Sequence, residues 1–203
     1  MLTVVIQAGG GSTRMGRDKG LLPFLGQPLV ARIVERLADL ADEILVTTNL
    51  PDGYRFLNLP LVADLLPGRG ALGGLYTALS AASYPYVAVV ACDMPFVSRA
   101  LLAAGRYLLA QTAFDAVVPR TPGGLEPFHA VYRRVTCLPL VKEVLEAGKQ
   151  RVDAWYSQAQ IHYLEADEIA RNDPAGLAFY NVNTLEELRA AEKMARGKPA
   201  ENN

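Results

Sequence analysis

Cysteine is scarce: Cys92 and Cys137 are the only two in 203 residues, too few for a metal or disulfide framework, and both are expected to be reduced. With two histidines besides, the chain offers no persuasive His or Cys constellation for nucleophilic chemistry. An excess of charge of either sign is also missing. Lys and Arg total 20 against 21 for Asp and Glu, so no global field draws the protein to nucleic acid or to an anionic membrane, and any attraction for phosphate must be local. Although 51% of the residues are hydrophobic, polar residues break them up, and no segment approaches the roughly 20 apolar residues of a membrane span. The amino terminus enters a strand at once, without the basic region and apolar stretch of a secretory signal, and a cytoplasmic location is expected. No low-complexity stretch or run of like charge divides the chain. A single domain over 1–196 is expected, with a polar tail at 197–203 that frays.

What is present in quantity is glycine after strands. Ile6-Gln7-Ala8-Gly9-Gly10-Gly11-Ser12-Thr13-Arg14-Met15-Gly16-Arg17-Asp18-Lys19 leaves a hydrophobic run, turns on three glycines and ends in basic residues. Consecutive glycines let the backbone come close to a ligand and aim successive N–H groups at phosphate oxygens. Ser12 and Thr13 add hydroxyl donors, Arg14 a planar fork and Lys19 a compact ammonium. A Walker A loop is excluded, because Gly11 and Gly16 are followed by Arg17 and Asp18 rather than by Lys and Ser or Thr. A dinucleotide fingerprint counted from Gly9 and Gly11 needs its third glycine where Arg14 stands, and it is excluded as well.

Along the chain, Thr3–Gln7 reads as a strand buried on both faces, and Leu29, Ile33, Leu37 and Leu40 mark one face of a helix beginning at Pro28. Glu43–Thr47 is a second strand. It delivers Asn49 to the carboxyl edge of the sheet, where open α/β sheets place ligands, in position for a base or ribose. A short third strand, Leu61–Ala63, ends at Asp64 and runs into a second glycine turn, Gly68 and Gly70. A helix over about Leu72–Ala82 follows, its positive end available to an anion or carbonyl. Tight packing of a glycine-softened helix start on the sheet would produce the same pattern. Tyr86–Ala91 is the most β-prone segment and belongs at the sheet centre, which puts Asp93 at the crevice as a hard oxygen ligand for a triphosphate-bound Mg²⁺, unless it only caps the turn. Ser98 caps a helix through Ala110. Ala116–Pro119, the turn Pro122-Gly123-Gly124 and a returning strand Leu125–Tyr132 form a locally antiparallel hairpin. Thr136–Ala147 is helical, Ile161–Leu164 a late strand, the segment to Pro174 a polar loop, and Thr184 with Glu187 a capping box.

The run A-G-G-G-S-T-R-M-G-R-D-K, with Leu21, Leu22, Gly26, Pro28 and Leu29 after it, resembles the signature loop of nucleotidyltransferases that activate sugars, polyols and molybdopterin. The double glycine after Ala8 and the Arg-Met-Gly-x-Asp-Lys run are most similar to the molybdenum cofactor guanylyltransferase family, from which Gln7 departs by replacing an apolar residue. Further matches are Gly68-x-Gly70-x-Leu72-x-Gly74-Leu75, Cys92-Asp93-Met94-Pro95-Phe96, and Asn181-Val182-Asn183-Thr184 with Leu185 in place of proline. The resemblance implies a three-layer, Rossmann-like α/β fold of the nucleotide-diphospho-sugar transferase kind, its mostly parallel sheet interrupted by one local antiparallel strand. It implies transfer of GMP from GTP to molybdopterin with Mg²⁺ as cofactor, and molybdoenzyme apoproteins and cofactor chaperones as partners.

On that reading Arg14, Lys19 and Asp93 are catalytic, and Asp93 is also the metal ligand. Nucleotide is bound by Ala8, Gly9, Gly10, Gly11, Ser12, Thr13, Lys19, Asn49, Asp64, Gly70 and Gly74, and acceptor by Glu126, Asn181 and Asn183. Glu126 stands where glutamine is usual, and a carboxylate beside an anionic acceptor calls for a pterin N–H or a second cation as its partner. Asn181 and Asn183 serve acceptor, metal or its water shell, or else fix their own loop. Lys149 and Arg151 are either acceptor-phosphate contacts or solvated charges, and His129 is either a satisfied histidine or a general base. A molybdopterin cytidylyltransferase, a related sugar or polyol nucleotidyltransferase, and a non-catalytic cofactor-delivery scaffold are the alternatives.

Overall fold

The computed structural model describes residues 1–8 and 18–197. Among these residues, seven strands run edge to edge in one sheet and an eighth attaches beside it. Their ranges are β1 Leu2–Gln7, β4 Glu43–Thr47, β5 Leu61–Val62, β6 Tyr86–Ala91, β7 Ala116–Thr121, β8 Gly124–Leu125, β9 His129–Arg133 and β10 Ile161–Leu164; β2 Pro23–Phe24 and β3 Gln27–Pro28 form a separate two-stranded hairpin. β1 pairs in parallel with β4 and β6, β4 with β5 and β7 with β10, while β9 lies antiparallel between β6 and β7. The most β-prone segment thus takes the central place the sequence assigns it. Buried on both faces, β6 has no need of alternation, and its Val87-Ala88-Val89-Val90 run is 0% exposed.

Side chains alternating across the pleat divide the core in two. On one face Val4, Ile6, Val90 and Val131 meet Leu29, Ile33 and Leu37 of α1 (Leu29–Leu37), Leu101 and Leu109 of α3 (Arg99–Gln111), and Leu188 of α6 (Leu185–Gly197). On the other, Val5, Val89, Val118 and Tyr132 meet Leu72, Leu75 and Leu79 of α2 (Gly70–Ala81), Val141 and Leu145 of α4 (Arg134–Glu146), and Trp155. Helices on both faces of a mostly parallel sheet make the three-layer α/β architecture. None of the described helices is long and apolar enough to cross a membrane.

Three local expectations need correction. The returning strand after the Gly123-Gly124 turn is not continuous: β8 pairs with β7 for two residues, the chain turns over Glu126, Pro127 and Phe128, and β9 resumes beside β6. Pro127 has no N–H for a ladder, and the turn is closed by the His129 N–H donating to the Glu126 carbonyl at 3.1 Å. The polar loop before Pro174 contains α5, Ala166–Asn172, held by a reciprocal capping box between Glu165 and Glu168. α2 begins at Gly70, two residues before the expected start, because Gly70 enters at φ +60 and the chain turns directly into the helix.

Candidate functional site

Adjacent parallel strands release their carboxyl ends side by side, in the spatial order β6, β1, β4, β5. Asp93 follows β6, Ala8 follows β1, Asn49 follows β4 and Asp64 follows β5, so four of the expected residues line one edge. At about 4.8 Å per strand this row spans about 14 Å, a length suited to a nucleoside triphosphate laid across the strand ends. Gly9, Gly10, Gly11, Ser12, Thr13 and Arg14 lie outside the described residues. Ala8 is described and anchored, its N–H donating to the Thr47 carbonyl at 2.9 Å.

Three of the expected residues, far apart in sequence, meet at one point. Lys19 Nζ donates to Asp93 Oδ2 at 3.0 Å and to Asn183 Oδ1 at 2.6 Å. Each partner is held from behind. Asp18 caps the short 3₁₀ turn Lys19–Leu21 by accepting from the Gly20 N–H, and the Asp93 carbonyl accepts from the Val182 N–H at 2.9 Å, which ties the asparagine loop to the end of β6. Glu187 Oε2 accepts from the N–H groups of Asn183 and Thr184 at 2.6 and 2.9 Å, while Thr184 Oγ1 accepts from the Glu187 N–H. The expected capping box therefore also sets the height of Asn183 beside the lysine.

The Lys19 ammonium occupies the space between two hard oxygens, so it marks a point where a cation is favoured. A divalent ion arriving on a triphosphate fits the same oxygens, since magnesium takes one or two protein oxygens plus substrate phosphates and water. Among the described residues there is no group of three or more His, Cys, Asp or Glu able to hold a metal without such help.

Beyond β4 and β5, Asn49 and Asp64 clasp one another: Asn49 Nδ2 donates to Asp64 Oδ2, and the Asp64 N–H donates to Asn49 Oδ1, both at 3.0 Å. The glycines of α2 serve two different ends. Gly70 supplies a positive φ at the helix entrance, whereas a Cβ on Gly74 would stand 3.0 Å from Oε1 and 3.2 Å from Nε2 of Gln7. Gly74 thus packs closely on the amide of Gln7 at the end of β1. Gln7 Nε2 is buried there without a hydrogen-bond partner among the described residues.

The remaining expected residues divide. Asn181 Nδ2 donates to the Phe179 carbonyl at 3.2 Å and so fixes its own loop, unlike Asn183. Glu126 is half-buried in the turn between β8 and β9, accepts from Thr121 Oγ1 at 3.3 Å, and has its pKa raised by desolvation. That turn also reaches the end of β6, where the Ala91 N–H donates to the Phe128 carbonyl at 3.0 Å. Beside it opens a cavity of about 450 Å³ lined by Leu125, Pro127, Arg151, Val152, Asp153 and Tyr156. Arg151 donates to both oxygens of Asp153, at 3.0 and 2.8 Å.

His129 is buried and accepts from the Ser98 N–H at Nε2 over 2.9 Å, with Phe179 edge-on to its ring. Burial pushes its pKa down to about 4, and a neutral ring already used as an acceptor inside the core is a structural histidine. Sequence reasoning missed Tyr54, whose buried hydroxyl donates to Asp18 Oδ1 at 2.6 Å. A tyrosine in an irregular segment carries no pattern by which to find it.

Comparison with known proteins gives the chain's relatives. Residues 4–162 match the family of MobA-like NTP transferase domains. The probable molybdenum cofactor guanylyltransferase of Pelotomaculum thermopropionicum is 34% identical over 95% of this chain and 93% of its own length. The corresponding protein of Chloroflexus aggregans is 38% identical over 95% and 94%. Among solved structures, the molybdopterin-guanine dinucleotide biosynthesis protein A of Archaeoglobus fulgidus superposes with a TM-score of 0.82 at 21% identity, covering 97% of this chain and all of that one. The 4-diphosphocytidyl-2C-methyl-D-erythritol synthase of Anaerococcus prevotii gives 0.72 at 11% identity over 96% and 98%. At these identities the two structures speak to fold alone.

Proposed function

The chain belongs to the MobA-like NTP transferase family, and from that membership we propose that it transfers GMP from GTP to molybdopterin with release of pyrophosphate. The observation that carries the proposal is the junction of Lys19, Asp93 and Asn183 at the carboxyl edge of the sheet. An acceptor phosphate oxygen forms a bond to the α-phosphorus, the bond from that phosphorus to the bridging oxygen breaks, and its electron pair leaves with pyrophosphate. The acceptor phosphate is already ionised, so no side chain need remove a proton. That requirement agrees with a His129 kept neutral inside the core.

The protein's part is position and charge. Lys19 turns from its two oxygens to the phosphates and offsets charge gathering at the α-phosphate. The glycine loop with Arg14 grips the triphosphate, and Asn49 with Asp64 receives the nucleoside. Asp93 and Asn183 would hold a magnesium ion brought by the nucleotide; when bound it neutralises phosphate charge. We place the acceptor in the cavity beside Glu126, with Arg151 at its wall. The test is incubation with molybdopterin, magnesium and each nucleoside triphosphate in turn, followed by pyrophosphate release. Release with GTP supports the proposal, and preference for CTP contradicts it.

A further inference from the structure

A carboxylate, Asp18, stands immediately before Lys19 in the chain, whereas Asp93, the carboxylate that the ammonium meets at 3.0 Å, is 74 residues away in sequence. Left free, Asp18 would compete with the phosphates for the charge the reaction needs. The structure shows what holds it. Asp18 Oδ1 accepts from Tyr54 Oη at 2.6 Å and from the Gly20 N–H at 3.0 Å, so both donors converge on one oxygen and turn the carboxylate inward.

The donor is built in deeply. Tyr54 lies in the 3₁₀ segment Pro51–Leu57 and is 0% exposed. Burial and the Asp18 bond push its pKa far above that of an ordinary phenol, so the hydroxyl stays a donor at every working pH. The backbone of Gly20 approaches so closely that a Cβ there would stand 2.6 Å from Tyr54 Oη and 3.4 Å from Cys92 Cβ. On the other side of the contact, a Cβ on Gly53 would stand 2.9 Å from Leu21 Cδ1. The turn bearing Lys19 is therefore seated on the Tyr54 ring and on Cys92, the residue next to Asp93, too closely at Gly20 for a side chain there.

We propose that Tyr54 is a positioning residue for the transfer reaction: through Asp18 its hydroxyl fixes the turn that carries Lys19 and keeps the neighbouring carboxylate from capturing the ammonium. The assignment rests on the proposed role of Lys19 and extends it to a segment following β4, outside the glycine loop. It touches neither substrate nor metal. The stretch from Leu50 to Leu57 thereby acquires a part in catalysis that its sequence does not announce.

The test is a set of transfer assays with GTP, molybdopterin and magnesium, accompanied by melting curves. Tyr54→Phe keeps the ring in the core and removes one hydroxyl. It is expected to lower kcat about tenfold while KM for GTP changes less than threefold. Asp18→Ala removes the other end of the same bond, so the double variant should be no slower than the slower single one. In a Lys19→Ala background, followed over long single-turnover incubations, Tyr54→Phe should cost less than twofold. A purely structural tyrosine would lower the melting temperature and slow the Lys19→Ala protein by the same factor as the parent; that result overturns the proposal. So does a Tyr54→Phe protein with kcat within twofold of the parent, or additive losses from Tyr54→Phe and Asp18→Ala. Failure of the underlying reading shows separately, as an unmodified protein that makes no dinucleotide or a Lys19→Ala variant of undiminished turnover.

Discussion

Replacing Lys19 with alanine separates the chemical role of this residue from its structural one. In the free protein the ammonium bridges Asp93 and Asn183 at 3.0 and 2.6 Å, with the Lys19 and Asp93 side chains 18% and 20% exposed. A pair that solvent still reaches stabilises a fold by only about 1 kcal/mol, since Coulomb gain is offset by desolvation and by ordering of a long side chain. For a domain of this size that corresponds to a fall in melting temperature of about 2–4 °C. In the transition state, by contrast, the same charge faces an α-phosphate whose oxygens gather negative charge, away from bulk water. Loss of one such preorganised group costs about 10²–10³ in kcat, or about 3–4 kcal/mol. Lys19→Ala is therefore predicted to lose two to three orders of magnitude in turnover while melting within a few degrees of the parent. Turnover is read by pyrophosphate release with GTP and molybdopterin, stability by thermal denaturation of the same preparation. A variant that retains near-normal transfer with a normal melting curve refutes the assigned charge role; collapse of the fold refutes the separation of the two roles.

His129 is held neutral with a pKa of about 4 against an ordinary 6.5, so its folded form binds a proton less readily than its unfolded form. The stability it supports is complete above pH 6.5 and is lost as pH falls toward 4, by about 3 kcal/mol. Urea midpoints of the parent and His129→Leu across that range should converge at low pH, and parallel curves would contradict the assignment. Gln7→Leu replaces a buried amide whose nitrogen lacks a partner among the described residues, so it should raise unfolding free energy by about 1–2 kcal/mol in urea titration. A loss of stability would mean that the amide is satisfied after all. Asn183→Ala should lower turnover far more than Asn181→Ala, because the Asn183 side chain meets Lys19 while that of Asn181 closes its own loop. Equal effects in steady-state assays would place both amides in the same role.

Much of this arrangement was legible in the sequence because it depends on local rules. A run of β-branched residues ending in Cys92-Asp93 announces a central strand with a carboxylate at its carboxyl end, and the structure places Asp93 there, in contact with Lys19. Ser98 and the Thr184–Glu187 pair reveal helix starts, since unsatisfied N–H groups demand oxygen acceptors at fixed offsets. What stayed hidden depends on tertiary position. The two asparagines look equivalent in sequence, yet only the Asn183 side chain meets the lysine. The close approach of Gly74 to the Gln7 amide likewise has no signature in the sequence. α5 was missed because none of its residues is buried, leaving no apolar stripe to betray it, and Tyr54 because its value lies in a carboxylate 36 residues away.

Lys19, Asp93 and Asn183, distant along the chain, are proposed to assemble a site for nucleotidyl transfer to molybdopterin. The most direct measurement is the mass of the product after incubation with GTP, molybdopterin and magnesium. Molybdopterin carrying one added guanylyl group is expected, formed by the parent and strongly diminished in Asp93→Ala. A mixture in which molybdopterin keeps its original mass while GTP stays intact would contradict the proposed transfer.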